Sequence, residues 1–357
     1  MATVRWLILL WISSAIAAAQ AAAPATLELG AKFAASDSLD CGTEAVADAR
    51  ECLASLAWTP GEFVVHLEAA EPGCGDWLVR FPSARPIGND LNDLAAMEWF
   101  APRGADGEIR TAPAIVVVHE SGRRMTVGRI VARGLSGLGL HAFLLQLPGY
   151  GARRDEKLSD IERGLNSMQQ AIADVRRARD AVVALPLVDD SVIGVQGTSL
   201  GGFVTATVAG LDRGYDRAFI LLAGGDLQEV VLNGAKDAAK VRRKLAAAGV
   251  TEEQIKELAR EVEPLRLAHR IDPTTTWLYS GKFDDVVPPR CSLALASAAK
   301  LPDGHHIEME ADHYSGIIYL PSLLKQMAEE MAKPLADESV EASPRRQTPS
   351  QAASSNQ

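Results

Sequence analysis

The sequence lacks an excess of positive charge. It has 36 Lys and Arg residues against 46 Asp and Glu residues, a formal net charge of −10 over 357 residues. A net-acidic surface repels phosphate backbones, and no basic stripe interleaved with aromatic residues offsets it, so we expect no nucleic-acid partner. No internal repeat of fixed period is present, and the 29 glycines and 18 prolines are ordinary numbers. A collagen-like, low-complexity or wholly disordered chain is therefore excluded.

Long apolar runs are lacking beyond residue 25, so no later segment is expected to span a membrane. At the N-terminus, Arg5 precedes the apolar residues 6–16, and a run of alanines then offers A-x-A cleavage sites. This pattern predicts a signal peptide over residues 1–21 and a secreted or periplasmic mature chain without stable membrane insertion. The uncharged stretch 6–25 is long enough to cross a bilayer, so a retained anchor stays the alternative.

Cysteine is scarce, with Cys41, Cys52, Cys74 and Cys291 as the four positions. Export permits disulfides, and we expect a Cys41–Cys52 bridge because it would close a short polar loop. Buried thiols are the alternative. Residues 22–61 are interpreted as an N-terminal extension, and residues 333–357, rich in Pro, Ser, Gln and Ala, as a disordered tail. The sequence predicts no oligomeric state.

Residues 62–332 alternate short apolar runs with amphipathic helical patterns. A continuous apolar run such as 114–118 is typical of a parallel strand covered on both faces. Strands are predicted at 63–67, 77–81, 97–101, 114–118, 142–145, 192–195, 219–222, 276–279 and 306–309. Helices are predicted at 127–138, 158–185, 199–211, 251–262 and 292–300. This alternation predicts an α/β domain with a doubly wound, mostly parallel sheet.

One region interrupts the alternation. Residues 226–270 are dominated by helix formers, and Thr251 with Gln254 makes a capping box for one of the helices. We interpret the region as a small helical insertion, or cap, that precedes the strand 276–279 and covers the ligand crevice of the sheet. Ordinary decoration of the scaffold is the alternative.

A nucleophile motif follows the apolar strand 192–195. The segment Gly197-Thr198-Ser199-Leu200-Gly201 has the G-x-S-x-G pattern, in which the serine occupies a sharp turn between a strand and a helix. A serine hydroxyl needs an adjacent base held by a third group, and this motif predicts the chain order Ser, acid, His. The backbone N–H of Leu200 is then expected to donate to the oxyanion.

Two downstream segments supply an acid and a base in that order. Asp284 follows the strand 276–279, with Asp285 and Asp226 as rival acids. His313 follows the strand 306–309, with His305 and His306 as rival bases. Both segments lie at carboxyl ends of strands, where the site of an α/β sheet is assembled.

Residues 95–331 resemble the α/β-hydrolase superfamily. The matching segments are the strand end Val116-Val117-Val118-His119, the segment Leu147-Pro148-Gly149-Tyr150-Gly151, the serine motif, the Gly281…Asp284…Val287-Pro288 turn and the late His313. The resemblance implies Asp284 as the acid and His313 as the base. It is closest to serine esterases of the dienelactone-hydrolase-like and acetyl-esterase-like kinds.

The second oxyanion donor is expected from the loop after His119, by register the N–H of Ser121. The superfamily usually has Gly where this chain has Glu120. A surface ion pair of Glu120 with Arg123 or Arg124 is one interpretation of that substitution.

Two further polar clusters have functional and ordinary interpretations. His306, Glu308 and Glu310 share one strand face and could hold a metal, although an edge strand with a polar face explains them equally. Arg153 and Arg154 could meet an acidic substrate, or could be solvated loop residues.

The sequence as a whole predicts an exported serine hydrolase that cleaves small-molecule carboxylic esters through an acyl-enzyme and needs no cofactor or metal. A peptidase, thioesterase or acyltransferase would use the same residues, and a non-catalytic binding protein of the same fold is the remaining alternative.

Overall fold

A ten-stranded sheet forms the centre of the computed structural model, which describes residues 27–156 and 167–335. The sheet order is β1-β2-β3-β4-β6-β5-β7-β8-β9-β10. Its strands are β1 (Lys32–Ser36), β2 (Glu62–Ala69), β3 (Trp77–Pro82), β4 (Leu94–Phe100), β5 (Ala112–Val118), β6 (His141–Gln146), β7 (Val188–Thr198), β8 (Arg217–Leu221), β9 (Thr276–Gly281) and β10 (His306–Met309). The nine predicted strands are therefore confirmed as β2 to β10.

The described residues also form nine α-helices. These are α1 (Ala47–Leu56), α2 (Thr126–Gly137), α3 (Ser167–Val183), α4 (Leu200–Asp212), α5 (Leu227–Asn233), α6 (Lys236–Ala247), α7 (Glu252–Glu261), α8 (Pro289–Ala298) and α9 (Leu320–Met331). Short 3₁₀ turns include Gly151–Arg153 and Ser315–Tyr319. The predicted signal peptide, residues 158–166 of the predicted long helix, and all but the start of the predicted tail lie outside the described residues. Among the described helices, none is long and apolar enough to cross a bilayer.

The pairing direction changes once across the sheet. Neighbouring strands pair antiparallel from β1 through β2, β3 and β4 to β6. From β6 through β5, β7, β8 and β9 to β10, neighbouring strands are parallel. Parallel strands need crossovers, and the helices supply them on both faces. The carboxyl ends of β5, β7, β9 and β10 therefore lie along the same edge.

Strand β5 shows why the sheet is covered on both faces. Ala114, Val116 and Val118 pack into one apolar cluster together with residues of α3 and α4. Ile115 and Val117 point the other way, into a second cluster together with residues of α2 and α9. Alternate side chains of one strand thus enter two separate cores, which confirms the doubly wound α/β architecture.

The sheet begins earlier than the sequence indicated. Strand β1 pairs with β2, so residues 32–36, predicted as part of an N-terminal extension, belong to the sheet. Polar contacts hold the same segment to α3: Arg177 donates to Asp37 (2.8 Å) and Ser38 donates to Asp180 (2.6 Å). These polar groups satisfy one another and attach the residues after β1 to α3.

The predicted cysteine bridge is wrong. All four cysteines are free thiols, and the Cys52 thiol lies on the buried face of α1 with the carbonyl of Glu261 at 3.9 Å. Cys41 is half-buried, and burial raises the pKa of both thiols to about 11. Cys52 is thus a buried thiol that packs against the core on α1, as in the alternative interpretation.

Helices α5 to α7 form an insertion between β8 and β9. The predicted capping box is present at α7, where Thr251 Oγ1 accepts from the N–H of Gln254 (3.2 Å) and Gln254 Oε1 accepts from the N–H of Thr251 (2.9 Å). Glu263 holds the base of the insertion by accepting from the N–H groups of Asp226 (2.8 Å) and Leu227 (2.7 Å).

Candidate active site

Ser199 occupies a strained turn between β7 and α4. Its backbone has φ 53° and ψ −114°, and residues other than glycine rarely adopt a positive φ. The two glycines of the motif explain how the turn fits. A Cβ on Gly197 would overlap the carbonyl of Gly201, and a Cβ on Gly201 would overlap the carbonyl of Val118. The motif is therefore required by close backbone contacts, and it presents the serine hydroxyl at the carboxyl edge of the sheet.

Asp284 is fixed by the loop that follows β9. Its Oδ1 atom accepts hydrogen bonds from the backbone N–H groups of Val286 and Val287, both at 2.9 Å, and the residue is 5% exposed. These two bonds orient the carboxylate so that Oδ2 points toward His313.

His313 connects the acid to the serine. Its Nδ1 atom lies 2.7 Å from Asp284 Oδ2, and its Nε2 atom lies 3.0 Å from Ser199 Oγ. An ionised carboxylate only accepts, so Nδ1 carries the proton and Nε2 of the neutral ring is free to accept from the hydroxyl. Residues 114 positions apart are thus joined in one hydrogen-bonded chain. The structure brings together the three residues that the sequence predicted.

The rival acids lie elsewhere. Asp285 forms an ion pair with Lys236 at 3.0 Å, with its side chain half-exposed. Asp226 caps α5, where its side chain accepts from the N–H of Glu229. Neither carboxylate contacts the imidazole.

The rival bases and the proposed metal ligands lie on β10 or next to it, at the end of the sheet. His306 hydrogen-bonds to Ser280 Oγ at 2.8 Å, and Glu310 contacts Lys282. His305 stacks on Trp277 with a ring distance of 4.7 Å. No group of three His, Cys, Asp or Glu among residues 27–156 and 167–335 is placed to hold a metal ion.

The loop after β5 is held against the serine turn. The carbonyl of His119 accepts from the N–H of Gly201 at 3.1 Å. The His119 ring accepts the N–H of Leu147 at Nε2 (3.1 Å), so its proton lies on Nδ1, which donates to the carbonyl of Glu120 (2.6 Å). Complete burial lowers the pKa of His119 to about 4, which keeps the ring neutral.

Glu120 has a role that the sequence did not reveal. Its carboxylate accepts the N–H groups of Val127 (3.1 Å) and Gly128 (3.0 Å), the second and third residues of α2. The expected surface pair with Arg123 or Arg124 is therefore wrong, since the side chain instead caps a helix N-terminus. The carbonyl of the next residue, Ser121, accepts from the Tyr150 hydroxyl (3.1 Å), which fixes the segment expected to supply the second oxyanion donor.

A cavity of about 870 Å³ surrounds the serine, and Leu200, Ser121 and His313 all line it. Its apolar wall is formed by side chains that include Leu222, Met309, Ile317, Leu320 and Leu323. The insertion supplies a further part of the lining from α6, namely Asp237, Lys240, Val241, Lys244 and Leu245.

The two arginines after Gly151 have different positions. Arg154 lines the cavity, and its side chain is 32% exposed. Arg153 is completely buried and donates to Asp174 (2.6 Å) and the carbonyl of Asn92 (3.1 Å). The interpretation of Arg153 as an exposed, substrate-facing residue is wrong because its guanidinium is paired with Asp174 inside the core.

Three residues beside the hydrogen-bonded chain were not found from the sequence. Lys236 and Asp237 begin α6, and Tyr314 follows His313 with its ring edge-on to the imidazole at 5.5 Å. The Tyr314 hydroxyl donates to Asp237 (2.9 Å), and the Lys236 ammonium lies 5.1 Å from the centre of the Tyr314 ring. Burial, assisted by the hydrogen bond to Asp237, raises the pKa of Tyr314 to about 12. Adjacency of Tyr314 to the predicted base was the one sequence signal.

No family model matches the chain, and no curated protein matches it by sequence. Solved structures do match. The alpha/beta hydrolase GrgF from Penicillium sp. sh18 aligns with a TM-score of 0.52 at 16% identity, over 72% of this chain and 98% of that one. The chain has the α/β-hydrolase fold.

Two other solved structures share this fold. The acetyl xylan esterase from Paenibacillus sp. R4 aligns with a TM-score of 0.55 at 18% identity, over 82% of this chain and 96% of the esterase. A puromycin-hydrolyzing peptidase of Mycobacterium tuberculosis aligns with a TM-score of 0.53 at 18% identity, over 77% of this chain. The chain spans 46% of that peptidase. Esterases and peptidases are thus both similar to this chain in fold.

Proposed function

We propose that the protein is a serine hydrolase that cleaves carboxylic esters of small molecules through an acyl-enzyme on Ser199. The observation that carries the proposal is the unbroken chain of hydrogen bonds from Ser199 Oγ through His313 to Asp284, at 3.0 and 2.7 Å, beside a cavity. A serine on a strained turn, an imidazole with a free Nε2 and a fixed carboxylate are the parts that acyl transfer requires.

Each residue then has one role. Ser199 Oγ attacks the acyl carbon while His313 Nε2 takes the hydroxyl proton. Asp284 orients the ring and stabilises its charged form. The tetrahedral intermediate collapses as His313 returns the proton to the leaving alkoxide. Water then attacks the acyl-enzyme while His313 takes its proton, and the acid leaves as His313 returns that proton to Ser199 Oγ.

The N–H groups of Leu200 and Ser121 are proposed as donors to the oxyanion. Leu200 begins α4, so its N–H also lies at the positive end of that helix dipole. Loss of one such donor typically costs about 3 kcal/mol of transition-state stabilisation.

Turnover of 4-nitrophenyl acetate tests the proposal. Wild-type protein should hydrolyse the ester. Ser199→Ala and His313→Ala should each lose at least about 10⁴-fold in kcat, and the double variant should lose no more kcat than either single variant. Ser191→Ala, an exposed serine at the far end of β7, is the matched control and should be fully active. A Ser199→Ala variant with undiminished activity would contradict the proposal.

Esters are favoured over amides because the acetyl xylan esterase is similar over nearly its whole length, whereas the chain spans 46% of the peptidase. A pair of substrates with one acyl group, a 4-nitrophenyl ester and the corresponding 4-nitroanilide, decides between them. The ester should be cleaved, with the anilide slower by orders of magnitude. Comparable kcat/KM values would assign a peptidase instead.

Export is a separate part of the proposal and rests on the sequence of residues 1–21, with Arg5 before an apolar run and alanine-rich cleavage sites. Expression of the full chain and N-terminal sequencing of the secreted or periplasmic product test it. A mature N-terminus close to residue 22 is expected. An intact N-terminus on a membrane-bound product would favour the anchor.

A further inference from the structure

The apolar wall of the cavity continues into the interior of the protein. The residues that line the cavity and also belong to the apolar cluster between the sheet and helices α2 and α9 include Leu222, Met309, Leu320 and Leu323. All four are buried, at 3% to 8% exposure. The cavity that contains Ser199 therefore opens onto part of the hydrophobic core, where an uncharged, apolar group is the favoured occupant.

Regular structure holds the apolar wall in place. Leu320 and Leu323 are three positions apart in α9, so they lie on one face of that helix. Leu222 directly follows β8, has a positive φ of 50°, and donates its backbone N–H to the carbonyl of Tyr279 in β9 (2.8 Å). Strained backbone of this kind is concentrated at ligand sites. Because these side chains are already fixed by packing, they lose little further freedom when an apolar group packs against them.

Exposed apolar side chains extend this surface to the mouth of the cavity. Val241, Tyr314 and Ile317 all line the cavity and are each 45% to 47% exposed. Single apolar residues scattered over a surface are ordinary, whereas a group of them marks a binding site. A ligand that covers these three side chains removes apolar surface from water, and the hydrophobic effect then favours its binding.

The charged side chains that line the cavity belong to other elements. Among the described residues, and apart from His313, they lie on the loop after β5, on the segment after β6 and on α6. On α6, Lys240 and Asp237 pair with each other at 2.7 Å. The apolar wall, in contrast, is built from leucine, isoleucine and methionine side chains. It offers no partner to a polar or charged group of a ligand, so such a group would lose its hydration there without compensation.

We propose that the preferred substrates are esters that carry an uncharged apolar chain several carbons long, packed against the apolar wall. The inference rests on the proposed ester hydrolysis and names its substrate class. The cavity volume of about 870 Å³ lies in the range that holds drug-sized ligands, so an acetyl group would leave most of the wall in contact with water. The chain can belong to the acyl or to the alcohol part of the ester, and both sources present the same methylene groups to the wall.

Two matched pairs of esters separate these sources. The first pair places the chain in the acyl part, as 4-nitrophenyl hexanoate against 4-nitrophenyl acetate. The second pair places it in the alcohol, as hexyl acetate against ethyl acetate. Each methylene group that moves from water into an apolar site gains about threefold to fourfold in affinity, so the longer ester of at least one pair should have at least about tenfold higher kcat/KM. Dividing each value by the rate of alkaline hydrolysis of the same ester removes differences in intrinsic reactivity.

Variants assign the preference to the apolar wall. Ile317→Asn places a polar group on the wall at a half-exposed site, so the protein should still fold, and the long-to-short ratio of kcat/KM should fall about threefold to tenfold. Ile318→Asn is the matched control, because Ile318 lies in the same 3₁₀ turn, is 70% exposed and is not part of the cavity lining. It should keep the wild-type ratio. An unchanged ratio in Ile317→Asn, or an equal fall in both variants, would contradict the assignment.

A binding measurement keeps this inference distinct from the proposed catalysis. Ser199→Ala protein should bind the longer ester of the preferred pair at least about tenfold more tightly than the shorter one by calorimetry, and Ile317→Asn in that background should reduce the difference. Equal kcat/KM within both pairs, or equal binding, would overturn the inference while ester hydrolysis stands. Wild-type protein inert toward all four esters would remove the proposed function instead, and binding to Ser199→Ala would still decide whether the wall holds an apolar chain.

Discussion

The hydroxyl of Tyr314 donates a 2.9 Å hydrogen bond to Asp237, and this bond joins the residue after His313 to the first turn of α6. The preceding residue of that helix, Lys236, forms an ion pair with Asp285 at 3.0 Å and lies 3.8 Å from Asp312. Residues on both sides of His313 and the residue after Asp284 thus contact the start of α6. The loops that hold Asp284 and His313 are therefore attached to α6.

Replacing Lys236 by methionine should lower activity. Its ion pair with Asp285 raises the pKa of the Lys236 ammonium, so the cation is present across the working range. Without it, the carboxylates of Asp285 and Asp312 lose their shared cation, and the loops that hold Asp284 and His313 lose one contact to α6. We expect kcat for 4-nitrophenyl acetate to fall by about twofold to fivefold, with KM nearly unchanged.

The matched variant Lys236→Arg keeps the positive charge and should keep the wild-type kcat. Lys256→Met, at an exposed site on α7, should also leave kcat unchanged. A Lys236→Met variant with wild-type kcat would show that these ion pairs do not position the two loops.

Gly201→Ala should destabilise the protein and abolish activity. The added Cβ would overlap the carbonyls of Val118 and His119, which are backbone atoms of the adjacent strand end and cannot rotate away. We expect a loss of about 3 kcal/mol in the free energy of unfolding, measured with urea. Gly137→Ala, at the last residue of α2 with open space around it, is the control and should change stability by less than about 1 kcal/mol.

Glu120→Ala should weaken both α2 and the proposed oxyanion site. The N–H groups of Val127 and Gly128 lose their acceptor, which typically costs about 1 to 2 kcal/mol of stability. Because the same residue precedes Ser121, kcat should fall while KM changes little. Glu120→Gln retains one side-chain acceptor and should keep an intermediate kcat. A variant with wild-type kcat would show that Ser121 is positioned without this cap.

The buried His119 should make stability depend on pH. Its folded pKa of about 4 lies below the ordinary value near 6.5, so the unfolded chain binds the proton first as pH falls. Stability attributable to His119 is complete above pH 6.5 and is lost progressively down to about pH 4. The loss between pH 7 and pH 5 should be about 2 kcal/mol larger in wild type than in His119→Asn, by urea unfolding at each pH. Equal losses in the two proteins would contradict the buried neutral ring.

The sequence was most informative where one local pattern determines structure. Apolar runs such as 114–118 predicted the parallel strands because both faces of those strands are buried. The glycines around Ser199 predicted the turn because their neighbours leave no room for a Cβ. The same motif predicted the order serine, acid, histidine along the chain, and Asp284 and His313 fit that order at the carboxyl ends of two later strands.

Contacts between distant charged residues were not predictable in the same way. Helix α3 has an apolar stripe through Ile172 and Val175, yet its Arg176 and Asp180 are buried as well. They pair with partners such as Ser38 and Asp212, which lie far away in the sequence. Strand β1 was missed for a different reason, since none of its residues is buried and its sequence shows little alternation of apolar residues.

Covalent labelling tests the central claim most directly. Wild-type protein treated with a fluorophosphonate should gain one adduct by intact mass, and fragmentation should place it on Ser199. Ser199→Ala should gain none, His313→Ala should react far more slowly, and Ser191→Ala should react as wild type does. An inert wild-type protein, or an adduct on a different residue, would contradict the assignment of Ser199 as the nucleophile.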